Sequence, residues 1–241
     1  MLSYVPGHSQ LLSAAVVQLM VLGSKPAVVR SAVGLFPAAK RELEVTFLGA
    51  GPGPELYGLL EHYLRFKVPV DQVKAHFLDA RAPAWAPSRS IIEKDLIPGL
   101  WTGNLELNPI DIDLTDQARV QSALDKAANS DLMVAQNFWN EFPDDATALR
   151  SFNAFASRMR LGQSMLIIDL SGYGNSALLQ SFRTCSGIYG AKSDLVTGTL
   201  HLGGSPKTQL PPIVREHLMP EEEYLRPRSR INYAALVCVW N

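Results

Sequence analysis

The stretch Val45-Thr46-Phe47-Leu48-Gly49-Ala50-Gly51-Pro52-Gly53-Pro54 decides the fold. Its first four residues favour a short strand, and the alternate glycines that follow let the chain turn sharply. Beyond Pro54, apolar residues recur at helical spacing, at Leu56, Leu59, Leu60, Tyr63 and Leu64. The stretch therefore predicts a strand, a glycine loop and a helix, whose free N–H groups suit a nucleotide-like ligand.

Two common nucleotide-binding motifs do not match this loop. The dinucleotide fingerprint G-x-G-x-x-G requires a glycine at position 54, where the chain has Pro54. The phosphate-binding P-loop ends in Gly-Lys-Ser/Thr, and this loop contains no lysine. Binding of NAD or FAD is therefore disfavoured, and ATP hydrolysis by a P-loop is excluded.

Strand and helix patterns alternate along the rest of the chain. Further strands are predicted at Lys74–Leu78, Leu107–Ile112, Leu132–Ala135 and Ser164–Ile168, with helices between them. The last two strand-like runs, near Leu195–Leu202 and at Tyr233–Trp240, have no clear helix between them and should pair antiparallel. The fold class predicted is α/β, a Rossmann-like, doubly wound, mostly parallel seven-stranded sheet with an antiparallel C-terminal strand pair.

The G-x-G-x-G spacing resembles motif I of the class I S-adenosylmethionine-dependent methyltransferases, and the likeness extends over about residues 40 to 241. This resemblance implies S-adenosyl-L-methionine as cofactor, lying over the loop residues Gly49, Ala50, Gly51 and Gly53. It places Asp79, followed by Ala80, at the ribose hydroxyls, and Asp113 with Leu114 at the adenine. It also implies that Gln136 and Asn137, after the fourth strand, face the cofactor.

The acceptor side of such a site is harder to predict, because methyl transfer asks the protein only to align the acceptor and, where needed, to remove a proton. The candidate catalytic residues are Asn137, Trp139 and Glu141. Further candidates near the methyl group are Tyr173, Tyr4 and His8. Structural roles compete with each assignment: helix capping for Asp79 and Asp113, packing for Trp139, and a solvated charge for Glu141.

Departures from the family pattern narrow the range of methyl-transfer reactions that the chain is expected to carry out. Many members carry an acid two residues before the first glycine, where this chain has Phe47. The Asn/Asp-Pro-Pro-Tyr/Phe signature of amino-methyltransferases is absent after the fourth strand. No cysteine lies in a strand-end loop, where a cytosine-C5 methyltransferase needs its nucleophile.

Two other functions stay open from the sequence. The amino-acid sequence of the glycine loop resembles that of eukaryotic ribosomal-RNA base methyltransferases. It is also similar to the loop sequence of nicotianamine synthase. The latter likeness implies a synthase that transfers the aminocarboxypropyl group of the same cofactor. The missing acid at Phe47 favours a third reading, a non-catalytic cofactor-binding or scaffold subunit.

Composition limits the partners. The chain has 241 residues, and 22 Lys+Arg against 23 Asp+Glu give a formal net charge of −1, so no overall field attracts RNA or acidic lipid. An RNA acceptor is thus possible but unsupported by charge. The two cysteines lack metal-ligand spacing, and no metal is expected. The sequence does not indicate an oligomeric state.

The predicted organisation is an N-terminal helical segment, 1–40, packing on a methyltransferase domain, 41–241, with an inserted loop at 203–230. The longest apolar stretch, Leu11–Gly23, is interrupted by Ser13 and Gln18 and is too short to span a bilayer. No basic residue other than His8 precedes it, as an export signal would require. We therefore expect a cytoplasmic protein without membrane contact.

Overall fold

The computed structural model describes residues 41–127, 129–170, 175–201 and 230–240. The predicted N-terminal helical segment and nearly all of the predicted insertion at 203–230 lie outside these ranges. Tyr4, His8 and Tyr173 lie outside them as well.

The described residues form alternating strands and helices, as the sequence pattern predicts. The strands are β1 (Glu42–Leu48), β2 (Gln72–Asp79), β3 (Asn104–Asp111), β4 (Leu132–Gln136), β5 (Ser164–Leu170), β6 (Ala191–His201) and β7 (Arg230–Trp240). The α-helices are α1 (Pro54–Phe66), α2 (Ala86–Ile91), α3 (Gln117–Ala127), α4 (Asp145–Ala156) and α5 (Asn175–Ile188). A π-helical turn (Ile92–Leu96) and two 3-10 turns (Ile97–Gly99, Trp139–Glu141) complete the set.

The strands form one seven-stranded sheet in the order β3-β2-β1-β4-β5-β7-β6. β1 to β5 run parallel, and β7 lies antiparallel between β5 and β6. The predicted fold class is confirmed. Because β1 pairs with both β2 and β4, the strand order reverses there, and ligands of open α/β sheets bind outside the carboxyl ends of the strands at such a point.

The central strands are buried on both faces, as expected for a parallel sheet covered by helices. Alternate residues of β1 enter opposite cores: Val45 and Phe47 pack under α1, whereas Leu48 belongs to the core beneath α3, α4 and α5. Phe47 stacks on Phe77 of β2 with ring centroids 5.4 Å apart. In the described part of the chain, no helix has the length and apolarity to cross a membrane.

Several predicted strand boundaries were wrong. β3 ends at Asp111 rather than Ile112, because its pairing with β2 ends where Asp79 faces Asp111. β5 continues past Ile168 to Leu170, since β7 pairs along it as far as Tyr233. Arg230 begins β7, opposite His201, and is not part of the inserted loop.

Candidate functional site

The glycine loop between β1 and α1 has the left-handed backbone that its glycines permit. Gly49, Gly51 and Gly53 have φ values of 62°, 50° and 84°. A Cβ atom at Gly53 would lie 2.5 Å from the Phe77 ring, and one at Gly49 would overlap the ring of Phe138. These two positions therefore exclude a side chain by space as well as by conformation.

The carboxylate of Asp79, at the end of β2, is fixed against this loop. Its Oδ2 accepts the Gly51 N–H at 2.8 Å, and its Oδ1 accepts the Arg81 N–H at 2.7 Å. The N–H groups of Gly49 and Ala50 donate to the Leu78 carbonyl at 2.8 and 3.2 Å. The structure thus brings Asp79 together with the predicted loop residues, and exposed Ala80 follows at the rim.

Arg89 of α2 lies beneath the loop and was not identified from the sequence. It is 6% exposed, and its Nη2 donates to the Gly51 carbonyl at 3.3 Å. Its guanidinium also lies 5.4 Å from the centroid of the Phe77 ring, within cation–π distance. Burial lowers the pKa of Arg89, while the charges of Asp79 and Glu93 raise it. Nothing in the local pattern of a short helix indicates this buried position.

Glu55, the second residue of α1, was not identified as a site residue from the sequence. Its side chain is 4% exposed, and Oε2 has no hydrogen-bond partner in the described residues. Burial raises the pKa of this carboxyl group to about 8, its own backbone N–H opposes that shift, and the charge of Asp79 adds to it. The absent acid at Phe47 was the one sequence signal that another acid was needed nearby.

The end of β4 contributes the predicted residues Gln136, Asn137 and Glu141. Asn137 has a left-handed backbone, with φ 53°, and donates its N–H to the Ile168 carbonyl at 2.8 Å. Gln136 is 4% exposed. Partial burial raises the pKa of Glu141, the charge of Asp79 raises it further, and Arg81 lowers it. Glu141 is therefore close enough to Asp79 for the two charges to interact.

Asp169, near the carboxyl end of β5, was not named as a site residue. Its side chain is 1% exposed, and burial raises its pKa to about 6. Backbone N–H groups of Leu170 and Asn140 lower that pKa, whereas the charge of Glu141 raises it. Asp169 therefore links the turn after β4 to the end of β5. Its position directly after an apolar strand was the available signal.

Trp139 is not brought to the open side of the site. It is 1% exposed and packs in what we call the aromatic block, which consists of Phe138, Trp139, Phe142, Phe152 and Phe182. Its Nε1 has no hydrogen-bond partner in the described ranges. These contacts are the packing role that the sequence left open for Trp139, and its catalytic role stays a prediction.

Asp113 and Leu114 follow β3 but serve local structure here. The exposed Asp113 carboxylate accepts the Thr115 N–H at 2.9 Å and the Thr115 hydroxyl at 2.7 Å, which lowers its pKa. Leu114 is 3% exposed and packs in the core. These contacts fix the approach to α3, the competing role that the sequence left open for Asp113.

The carboxyl groups at this edge act on one another. Burial raises the pKa of Glu55, Glu141 and Asp169; the charge of Asp79 raises the first two further, and the charge of Glu141 raises the third. Carboxyl groups that oppose one another's ionisation are stabilised when a positive charge enters among them. Among the described residues, no group of three or more His, Cys, Asp or Glu side chains is arranged to hold a metal ion.

Solved methyltransferase structures are similar to this chain. An S-adenosylmethionine-dependent methyltransferase from Methanosarcina mazei has a TM-score of 0.48 at 10% identity, covering 85% of this chain and 97% of its own. Precorrin-6y C5,15-methyltransferase from Geobacter metallireducens has a TM-score of 0.47 at 9% identity, covering 90% and 87%. An O-methyltransferase family protein from Burkholderia thailandensis has a TM-score of 0.46 at 16% identity, covering 95% and 59%.

No family model and no curated protein matches the sequence. The strand order and pairing described above define the fold class.

Proposed function

We propose that the chain binds S-adenosyl-L-methionine at the carboxyl ends of β1, β2 and β4 and transfers its methyl group to an acceptor. The observation that carries the proposal is the Asp79 carboxylate, fixed 2.8 Å from the Gly51 N–H beside a loop of left-handed glycines. The strand, loop and helix deliver an acid and a ligand-accessible backbone to one edge of the sheet.

The side chains at this edge fit that cofactor. Among the described residues, each oxygen of Asp79 accepts one hydrogen bond, which leaves lone pairs for two ribose hydroxyls. The carboxyl groups of Glu55, Glu141 and Asp169 suit a ligand that carries a sulfonium and an ammonium group. Bound S-adenosylmethionine supplies an activated methyl group, so the protein's main task is alignment.

Asn137 and Glu141 are the residues we assign to the acceptor. The left-handed backbone of Asn137 turns the chain directly after β4, and its N–H holds this turn to β5. Glu141 is the carboxyl group at the rim, and its raised pKa favours proton acceptance from an acceptor. Asp169 receives backbone N–H groups from both sides and positions this turn.

The acceptor is proposed only as a class: a small molecule, a protein side chain or a base in RNA. The formal net charge of −1 provides no general attraction for RNA, so the first two classes fit better. The protein is expected to act in the cytoplasm without a membrane partner.

The test is calorimetric titration with S-adenosylmethionine and S-adenosylhomocysteine, using NAD as a negative control. Asp79→Asn keeps the shape but removes the charge, and we expect affinity to fall about 10- to 100-fold, as for a lost charged hydrogen bond. Asp71→Asn is the matched control, because Asp71 precedes β2 at the opposite edge, in an exposed pair with Arg41. Absence of binding by the unmodified protein, or equal loss in both variants, would reject the proposal.

Product analysis then separates methyl transfer from the alternative synthase. Methyl transfer leaves S-adenosylhomocysteine, whereas aminocarboxypropyl transfer leaves methylthioadenosine. Binding without either product in the presence of candidate acceptors would favour the non-catalytic subunit.

A further inference from the structure

Glu55 has a buried carboxyl group beside the glycine loop, and its Oε2 atom makes no hydrogen bond within the described residues. The side chain is 4% exposed, and Oε2 has no hydrogen-bond partner there. Buried polar atoms in native proteins are almost always satisfied, so an orphaned oxygen at a ligand loop points to a missing partner.

The surroundings of Glu55 keep it neutral while no ligand is bound. Asp79, at the end of β2, is the charged group that acts on it, and both burial and that negative charge raise its pKa to about 8. Arg89, the cation beneath the loop, interacts with Asp79 and Glu93. The π-helical turn that packs on α1 carries Glu93, Lys94 and Asp95, and none of the three shifts Glu55.

A positive ligand group would reverse this balance, because a nearby cation favours the carboxylate form. The other position from which an acid could serve, two residues before Gly49, holds Phe47. Its ring is 1% exposed and stacked on Phe77, so it offers no polar atom. Glu55 is consequently the buried acid that the chain places next to the loop from α1.

We propose that Glu55 receives the ammonium group of the methionyl part of the ligand and releases its proton to solvent as the ligand binds. The carboxylic acid becomes a carboxylate, the ammonium keeps its protons, and one proton appears in the buffer. The inference rests on the proposed function, since that function supplies the ligand.

The first arm of the test compares two ligands that differ at the methionyl end. S-adenosylhomocysteine carries the ammonium group, whereas methylthioadenosine lacks the whole aminocarboxypropyl group. In Glu55→Gln we expect at least tenfold weaker binding of the former and unchanged binding of the latter, by calorimetry. Glu61→Gln, a half-buried glutamate of the same helix, should leave both affinities unchanged.

The second arm needs no variant. Titrating the unmodified protein at pH 7 in two buffers of different ionisation enthalpy should show release of about one proton per S-adenosylhomocysteine. Affinity should increase from pH 6.5 to 8 and then level off, above the range in which Asp169, with a pKa of about 6, titrates. Carbon-13 NMR of the ligand-free protein should show one glutamate carboxyl titrating near pH 8, absent in Glu55→Gln.

The outcomes separate the two proposals. If the unmodified protein binds both ligands but releases no proton, or if Glu55→Gln weakens both equally, the role of Glu55 is refuted and cofactor binding stands. If it binds neither ligand, the proposed function and the inference fail together. A Glu55 carboxyl that titrates in the ordinary glutamate range also overturns the inference.

Discussion

The ends of β1 and β2 carry polar side chains that can accept further hydrogen bonds. Behind the end of β4, by contrast, the five rings of the aromatic block fill the space. On the first side, the Asp79 carboxylate accepts the backbone N–H groups of Gly51 and Arg81, and Glu55 Oε2 has no hydrogen-bond partner among the described residues. On the second, Trp139 stacks on Phe142 at 5.3 Å and Phe152 on Phe182 at 4.3 Å.

The two regions meet at one contact, where the ring of Phe138 lies against Gly49. The aromatic block therefore supports the glycine loop from behind and does not compete with it for ligand. Polar residues at the strand ends are therefore available for binding, while the neighbouring aromatic residues fix the shape of the loop.

The largest expected effect concerns the loop itself. Gly53→Ala must accept both a positive φ and a Cβ atom 2.5 Å from Phe77, and we expect a loss of about 2–4 kcal/mol in the free energy of unfolding. Gly162→Ala is the matched control, because Gly162 has a φ of 87° with no atom within 4 Å of its added Cβ. Conformation alone should cost about 1 kcal/mol there, measured by urea unfolding. If both variants lost the same free energy of unfolding, the Phe77 ring would be able to move away from the added Cβ atom without cost.

The next effect concerns the ionisation of Glu55 on the polar side and its influence on stability. The pKa of Glu55 is about 8 in the folded chain, against an ordinary value of 4.5, so the folded state holds a proton that the unfolded state releases between these values. Stability from this group is complete below pH 4.5 and is lost as pH rises towards 8, by up to about 1.4 kcal/mol per pH unit. Glu55→Gln should therefore gain stability over the unmodified protein as pH rises from 5 to 8.

Urea unfolding at pH 5, 6.5 and 8 measures this trend, with Glu61→Gln as the control on the same helix. Parallel pH profiles for the unmodified protein and Glu55→Gln would show that Glu55 is ionised in the folded chain. Glu55 would then add a negative charge to the polar side instead of lying there as a neutral carboxylic acid.

The smallest effect distinguishes packing from catalysis in the aromatic block. Trp139→Phe keeps an aromatic ring in a 1%-exposed position, and we expect a loss of about 1–2 kcal/mol in stability. Cofactor affinity should stay within about twofold, because Trp139 reaches the loop only through Phe138. A folded variant that binds cofactor normally but loses methyl transfer would move Trp139 into the site, as the sequence interpretation had it.

The polar side could be predicted from the sequence because its signals are local. Three alternate glycines between a strand pattern and a helix pattern determine a backbone path, and parallel strands bring Asp79 to the same edge. Whether a side chain points into the core or into solvent depends on contacts with residues distant in the sequence. A glutamate in the first turn of a helix is ordinarily a solvated charge, and only the packed structure shows Glu55 turned inward.

The same limit explains the aromatic side and the end of β3. Phe138 and Trp139 directly follow the residues expected at the cofactor, yet chain proximity does not reveal that their rings enter the core. Asp113 shows the opposite case, since the sequence left a local structural role open for it and its carboxylate does accept the N–H and the hydroxyl of Thr115. Arg89 comes from a six-residue helix whose pattern is too short to show a buried face.

The place of β7 within the sheet has a consequence for how the chain folds. β6 precedes β7 in the chain, and β7 is the strand with which it pairs in the described sheet. During synthesis, β6 therefore emerges before this partner, and the pairing must wait until β7 follows. Such long-range pairing is slow, and until it forms the apolar residues of β5 lack their antiparallel cover.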